Sequence, residues 1–294
     1  MGLINRLLRK DATDTSSISF TAHYTGYVWY RNGLSAEPFR TSQGALYYTA
    51  LSPLEFVGRR LIGGNIRDFL LQRHFLIDRR IEQAIANDGV TQILEIACGL
   101  SPRGWRFCEK YPQLKYVEAD LPDMAHRKKA LLQEAGALSG RHKVVTCNIL
   151  VDGPDSLENV VAREFDTSKP LLVITEGLVV YFDLETVTGF WQRLATVLRK
   201  FPVGIYLTDN YPLLDNHPFR RLMKTMGGML GAASRSNVSF HFGSDAEMEA
   251  HFRNNGFPEA TVYNPRDHYD ELAIPRTRGD SFVRVLEART RIPG

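Results

Sequence analysis

From Thr91 onward the hydrophobic pattern of the chain changes period at regular intervals. Short apolar runs rich in β-branched and aromatic residues fall at 92–97, 115–120, 142–147, 170–176 and 203–209. Between them, apolar residues recur at helical spacing over about 102–111, 122–137, 154–163 and 184–200. Pro102 and Pro122 suit first-turn positions, where the missing N–H costs little. Strands alternating with amphipathic helices imply right-handed βαβ units and a parallel sheet covered on both faces. Further on, 217–230 and 244–255 have helical spacing, 260–264 reads as a strand, and Ser281–Ala288 alternates like a closing strand. The pattern predicts an α/β fold: a doubly wound, mostly parallel seven-stranded sheet.

The first 88 residues follow another rule. Residues 18–31 are crowded with aromatics and fit neither period, while 54–87 is largely helical and stops at Asn87-Asp88-Gly89. With no repeat, low-complexity tract or evident linker, 1–294 reads as a single domain in which 1–88 form an N-terminal helical cap or lid.

Composition narrows the setting. A chain of 294 residues with 44% hydrophobic content can bury a sizeable core. The net charge is +3, with acids and bases interspersed, so nothing points to nucleic acid or a membrane surface. No run approaches the ~18 apolar residues of a membrane span, and the apolar stretch at Met1–Lys10 is too short for a signal peptide. Cys98, Cys108 and Cys147 make no disulfide framework and suit a reducing, cytoplasmic setting. His217, His241, His251 and His268 lack ligand spacing, so no metal is expected.

In open α/β sheets, ligands bind at the carboxyl ends of the strands. Here those ends are Ala97-Cys98-Gly99, Glu118 with Asp120, Cys147-Asn148-Ile149, Thr175-Glu176-Gly177 and Asp209-Asn210. A small-residue turn after the first strand, followed about twenty residues later by carboxylates, is the layout of a nucleotide-type cofactor site. The turn itself lacks a full Gly-x-Gly.

Four segments make the reading specific. Leu100-Ser-Pro-Arg-Gly-Trp-Arg106 resembles the Gly-Leu-Asp-Thr-Arg-x-Trp-Arg motif of the leucine carboxyl methyltransferase family, which includes bacterial polyketide-type O-methyltransferases. Arg73-His-Phe-Leu-Ile-Asp78 is similar to that family's Arg-Thr-x-x-x-Asp segment. Glu118-Ala-Asp-Leu-Pro122 resembles its Glu-x-Asp-Leu-Pro, and Thr175-Glu-Gly-Leu-Val-Val-Tyr181 its Glu-Gly-Leu-x-x-Tyr. The resemblance covers roughly 70–185 and implies a class I methyltransferase with S-adenosyl-L-methionine as cofactor and S-adenosyl-L-homocysteine as product. It also implies residue roles. Arg73 would pair bidentately with the methionine carboxylate, and Glu176 would accept from its ammonium. Gly99 and Ala97 would let backbone approach. Asp120, next to Leu121, would accept from the ribose diol with Glu118 behind it, and Asn148 and Ile149 would flank the adenine. Glu95, the acid inside the first strand, joins this set. Two departures are Ala97 in place of the first glycine and Ser101-Pro102 in place of Asp-Thr.

Methyl transfer is an in-line displacement that needs an aligned nucleophile and a dry site. A carboxylate acceptor is ionised already, whereas a phenol with a pKa of about 10 profits from a base. Tyr24 and Tyr181 are the candidate catalytic residues, and Tyr27, Tyr30, Arg31 and Asn210 the candidate acceptor-site residues. His23 is the only obvious base near the aromatic segment. The expected acceptor is a small molecule methylated on a carboxyl or hydroxyl oxygen. A protein C-terminal carboxylate, a thiol, or cofactor binding without catalysis are the alternatives. A dehydrogenase would want Gly-x-Gly-x-x-Gly, and an α/β hydrolase Gly-x-Ser-x-Gly; the chain has neither. Oligomeric state is not legible.

Overall fold

The computed structural model describes residues 16–212, 239–278 and 280–291. Strand β1 (Gln92–Ile96) lies inside a seven-stranded sheet, flanked by β2 (Lys115–Asp120) and β4 (Leu171–Thr175). β3 (His142–Thr146) joins beyond β2, and β5 (Gly204–Asn210) beyond β4, all parallel. β7 (Arg284–Arg289) runs antiparallel against β5, and β6 (Glu259–Tyr263) closes the edge, giving the order 3-2-1-4-5-7-6. The chain reverses direction across the sheet between β1 and β4, the switch point where such sheets open a crevice.

Alternation within the strands explains both covering layers. Leu94, Val117, Leu171 and Val173 pack with Val160, Trp191 and Leu194 on one face. Ile93, Tyr116, Leu172 and Leu207 pack with Leu76, Ile77, Ile81 and Phe107 on the other. The first layer is built by α6 (Leu157–Glu164), α7 (Leu184–Leu198) and α8 (Asp245–Asn254). The second is built by α3 (Ile66–Asn87) and α4 (Arg103–Lys110); α5 (Pro122–Glu134) follows β2. Among the described residues no helix is long and apolar enough to cross a membrane. The segment 217–230 lies outside the described residues.

The N-terminal region is helical, as the cap reading expects, but its helices are divided differently. The aromatic stretch is a helix, α1 (Ser16–Arg31). The single long helix read over 54–87 is two: α2 (Ser42–Ile62) and α3. α2 stops at Gly63 in the left-handed conformation, and Asn65 then caps α3 reciprocally with Asp68. Apolar spacing persists through this break, which masks it. α3 belongs to the cover of the sheet, whereas α1 lies over the carboxyl edge and α2 packs on α1.

Candidate functional site

The turn after β1 is held by a carboxylate. Ala97 and Gly99 both have positive φ, 53° and 48°, and Ala97 is the one non-glycine among the described residues to do so. An L-residue there costs about 1–2 kcal/mol, strain of the kind kept at functional sites. Asp120 Oδ2 accepts from the Gly99 N–H at 2.7 Å, and Oδ1 from the Leu121 N–H at 2.8 Å. Burial raises the Asp120 carboxyl, and those two backbone donors oppose the rise. The β3 end is tied in by the Cys147 N–H to the Asp120 carbonyl at 2.8 Å.

Beside the turn lies a buried ion cluster. Arg73 on α3 donates from Nε to Glu176 Oε1 at 3.0 Å, and from one terminal nitrogen to Asp209 at 2.7 Å and the Tyr211 hydroxyl at 2.6 Å. Two faces of the fork are thus engaged, which corrects the bidentate expectation. Its other terminal nitrogen, Nη2, meets no acceptor among the described residues and lies 2.9 Å from where a Cβ on Gly177 would be. Glu176 also takes Arg103 at 2.6 Å and lies 3.0 Å from His74 Nδ1. Burial alone would raise Glu176, but the Arg103, His74 and Arg73 charges outweigh it and hold the carboxyl well below the usual range. With both oxygens already accepting from arginines, Glu176 is a poorer acceptor for an ammonium than expected. Glu95 is buried within β1, with both oxygens engaged, one accepting from Arg103 and the other from Tyr116. Glu118 pairs with Lys128 at 2.8 Å and His142 at 3.3 Å beneath the turn, behind Asp120.

Helix α1 covers the turn. A side chain on Gly99 would meet Ala22 at 3.4 Å, and one on Gly26 would meet Leu100 at 3.2 Å. The Tyr181 hydroxyl donates to Thr21 at 3.3 Å, joining the β4 edge to the same helix. Residues 22, 26 and 29 therefore form the inner stripe, and the Trp29 ring packs at a tilt against His74 with ring centroids 4.8 Å apart. Helical geometry turns the other candidates away. Tyr24 is buried against α2 and donates to Glu55. Tyr27 packs on Tyr30 and Tyr48, Tyr30 donates to Glu37 at 2.5 Å, and Arg31 is exposed. These four do not face the sheet edge. His23 lies 2.9 Å from Thr41, and burial, then the Arg127 charge, lowers its imidazole to about 4. That leaves it neutral and a weak base at pH 7.

Asn148 accepts from the Leu150 N–H at 3.0 Å, and Ile149 offers its carbonyl to Arg193 at 2.9 Å, so both line the β3 end. Asn210 closes the β5 end, buried, with its amide nitrogen unpartnered among the described residues. The structure thus brings together Arg73, Ala97, Gly99, Asp120, Leu121, Asn148, Ile149, Glu176, Tyr181 and Asn210. Sequence reasoning missed His74, Arg103, Asp209, Tyr211 and Trp29. Arg103 stood inside the matched motif and Asp209 at a strand end, so both carried a signal.

A model of the family described as leucine carboxyl methyltransferase matches residues 36–195. A provisionally named S-adenosyl-L-methionine-dependent methyltransferase of Mycobacterium tuberculosis is 31% identical over 173 residues, 57% of this chain and 52% of that protein. One of like name from Mycobacterium ulcerans is 32% identical over 182 residues, 59% and 55% of the two chains. The chain therefore spans about half the length of the curated relatives it matches. In fold it is similar to a DUF574 family protein of Streptomyces avermitilis, with TM-score 0.60 and 13% identity over 92% of this chain and 97% of that one. It is also similar to a provisionally named methyltransferase of Thermobifida fusca, with TM-score 0.55 and 15% identity over 84% and 89%.

Proposed function

The chain belongs to the leucine carboxyl methyltransferase family, and from that premise we propose that it transfers a methyl group from S-adenosyl-L-methionine to an oxygen of a small-molecule acceptor. The observation that carries the reading is the Gly99–Asp120 contact at 2.7 Å, placed at the switch point beside the Arg73 cluster. The residues fit the cofactor. Gly99 presents no side chain, and Asp120 has lone pairs left for a diol after two backbone bonds. The second terminal nitrogen of Arg73 is a donor awaiting a carboxylate. When bound, the cofactor supplies a methyl group made electrophilic by its sulfonium.

The acceptor side favours a carboxylate over a phenol. Trp29 Nε1 and Asn210 Nδ2 are buried donors without acceptors among the described residues, and an unmet buried donor costs about 1–3 kcal/mol until a ligand meets it. Among the described residues the neighbouring bases are weak or engaged: His23 has a depressed pKa, His74 lies within the Arg103–Glu176 cluster, and Glu176, Asp209 and Glu95 are all bonded to arginine or tyrosine. A carboxylate arrives ionised and needs only orientation. The role of these side chains is to hold it in line and exclude water, with α1 supplying the cover. The same donors suit a peptide's terminal carboxylate, and the acceptor's size separates the two.

The test is calorimetric titration with S-adenosyl-L-methionine and S-adenosyl-L-homocysteine, with NAD(H) as control. A methyl-transfer screen of small carboxylic acids, phenols and thiols follows. Micromolar binding and turnover confined to acids support the proposal. No binding by folded protein overturns it, and turnover of phenols alone overturns the carboxylate assignment.

A further inference from the structure

Arg103 sits on the first turn of α4, immediately past the cofactor turn, with no exposed surface. Its guanidinium reaches one carboxylate from each element that frames the crevice. Nε donates to Asp78 on α3, one terminal nitrogen to Glu95 on β1, and the other to Glu176 after β4, each at 2.6 Å. Each acid spends its second oxygen elsewhere: Asp78 on Arg106 at 2.8 Å, Glu95 on Tyr116 at 2.7 Å, Glu176 on Arg73 at 3.0 Å. Three arginines and four acids (Asp209 being the fourth) thus meet here, with His74 wedged among them.

On the reading that the cofactor binds at this edge, we infer that Arg103 is a positioning residue for the cofactor's amino-acid end, acting through Glu176 on Arg73. Glu176 links the two arginines. Arg103 and His74 fix one oxygen, and the other then fixes the Arg73 Nε. Asp209 and Tyr211 fix one Arg73 terminal nitrogen, which leaves a single orientation for the unpartnered one. Arg103 never meets the ligand; it decides where the donor that does meet it points. Lysine cannot replace it, because three carboxylates on three elements require a planar fork with donors on three sides.

The test is Arg103→Lys in the full chain, with cofactor affinity by calorimetry, turnover, and thermal unfolding. Cofactor binding is expected to weaken about tenfold or more, with kcat within about threefold, since the reacting atoms are untouched. The acid limb of cofactor binding should also move to higher pH, because a lysine ammonium, although still charged, cannot keep the 2.6 Å guanidinium contact that helps hold the Glu176 carboxyl low. Paired with Glu176→Gln, the losses should be non-additive. A folded Arg103→Lys protein with a lowered Tm, unchanged affinity and an unmoved acid limb overturns the inference and leaves the function standing. A wild-type protein that binds no cofactor overturns both. Should Arg103→Lys fail to fold, Glu95→Gln decides. It loosens the guanidinium at the end farthest from the crevice, and a weakening of about threefold supports the inference while unchanged affinity overturns it.

Discussion

Replacing Gly177 by alanine tests the placement of Arg73 most directly. Gly177 has φ +70°, and a Cβ there would lie 2.9 Å from one Arg73 terminal nitrogen and 3.3 Å from the other. The backbone term is about 1–2 kcal/mol for an L-residue in this conformation. The steric term cannot be relieved by swinging a free side-chain end, because the guanidinium is already pinned by Glu176, Asp209 and Tyr211. Moving it a few tenths of an ångström weakens charge-assisted bonds worth about 1.5–3 kcal/mol apiece, and losing part of that adds roughly 1–2 kcal/mol. The sum, about 2–4 kcal/mol, corresponds to a Tm lower by roughly 3–6 °C in a chain of this size. Gly33 is the matched control: its φ is +71° and nothing lies within 4 Å of an added Cβ, so Gly33→Ala carries the backbone term alone. Thermal unfolding and calorimetric titration of both variants separate the terms. Gly177→Ala should be the less stable of the two and bind S-adenosyl-L-methionine about tenfold more weakly, with Gly33→Ala binding as wild type. Equal Tm shifts and unaltered affinity in both variants would refute the steric account of why this motif position is glycine.

Other outcomes follow from the same geometry. Asp120→Ala should weaken cofactor binding at least about tenfold, since it removes the tether of Gly99 and the acceptor for the ribose, each bond worth about 1.5–3 kcal/mol; calorimetry on folded variant reads it. Tyr24→Phe should lower the Tm and leave kcat nearly unchanged, because the hydroxyl serves Glu55 in the cap; a large loss of turnover at constant Tm would return Tyr24 to the acceptor site. His23 takes its proton near 6.5 when unfolded but only near 4 when folded, so its contribution to stability is full above pH 6.5 and is lost as the pH falls toward 4. Urea unfolding of His23→Asn should show a shallower stability loss across that window than wild type, and an identical slope would count against the assignment.

The features read correctly from the sequence are those written locally. Every parallel strand was found within a residue or two, because an apolar, β-branched run bounded by turn residues needs no distant partner to be recognised. The order of glycine turn, acidic strand end and Glu-Gly-Leu segment likewise lies in the chain. The break at Gly63-Gly64-Asn65 was also local, yet an apolar period that continued through it concealed two helices as one.

Tertiary structure alone decided which candidates meet. Tyr24, Tyr27, Tyr30 and Arg31 share a helix with Ala22, Gly26 and Trp29, and composition favoured the first group. Only the docking of α1 on the turn showed that the second faces the crevice. Arg103 draws Glu95, Asp78 and Glu176 from 8, 25 and 73 residues away. A buried guanidinium must find its counter-charges wherever the fold delivers them, and no spacing along the chain announces that. The sequence by itself determined the sheet, its order of secondary elements and the carboxyl edge at which we propose the cofactor binds. Long-range packing decided which side chains point into that edge, because orientation depends on how separate elements are pressed together and not on the pattern within any one of them.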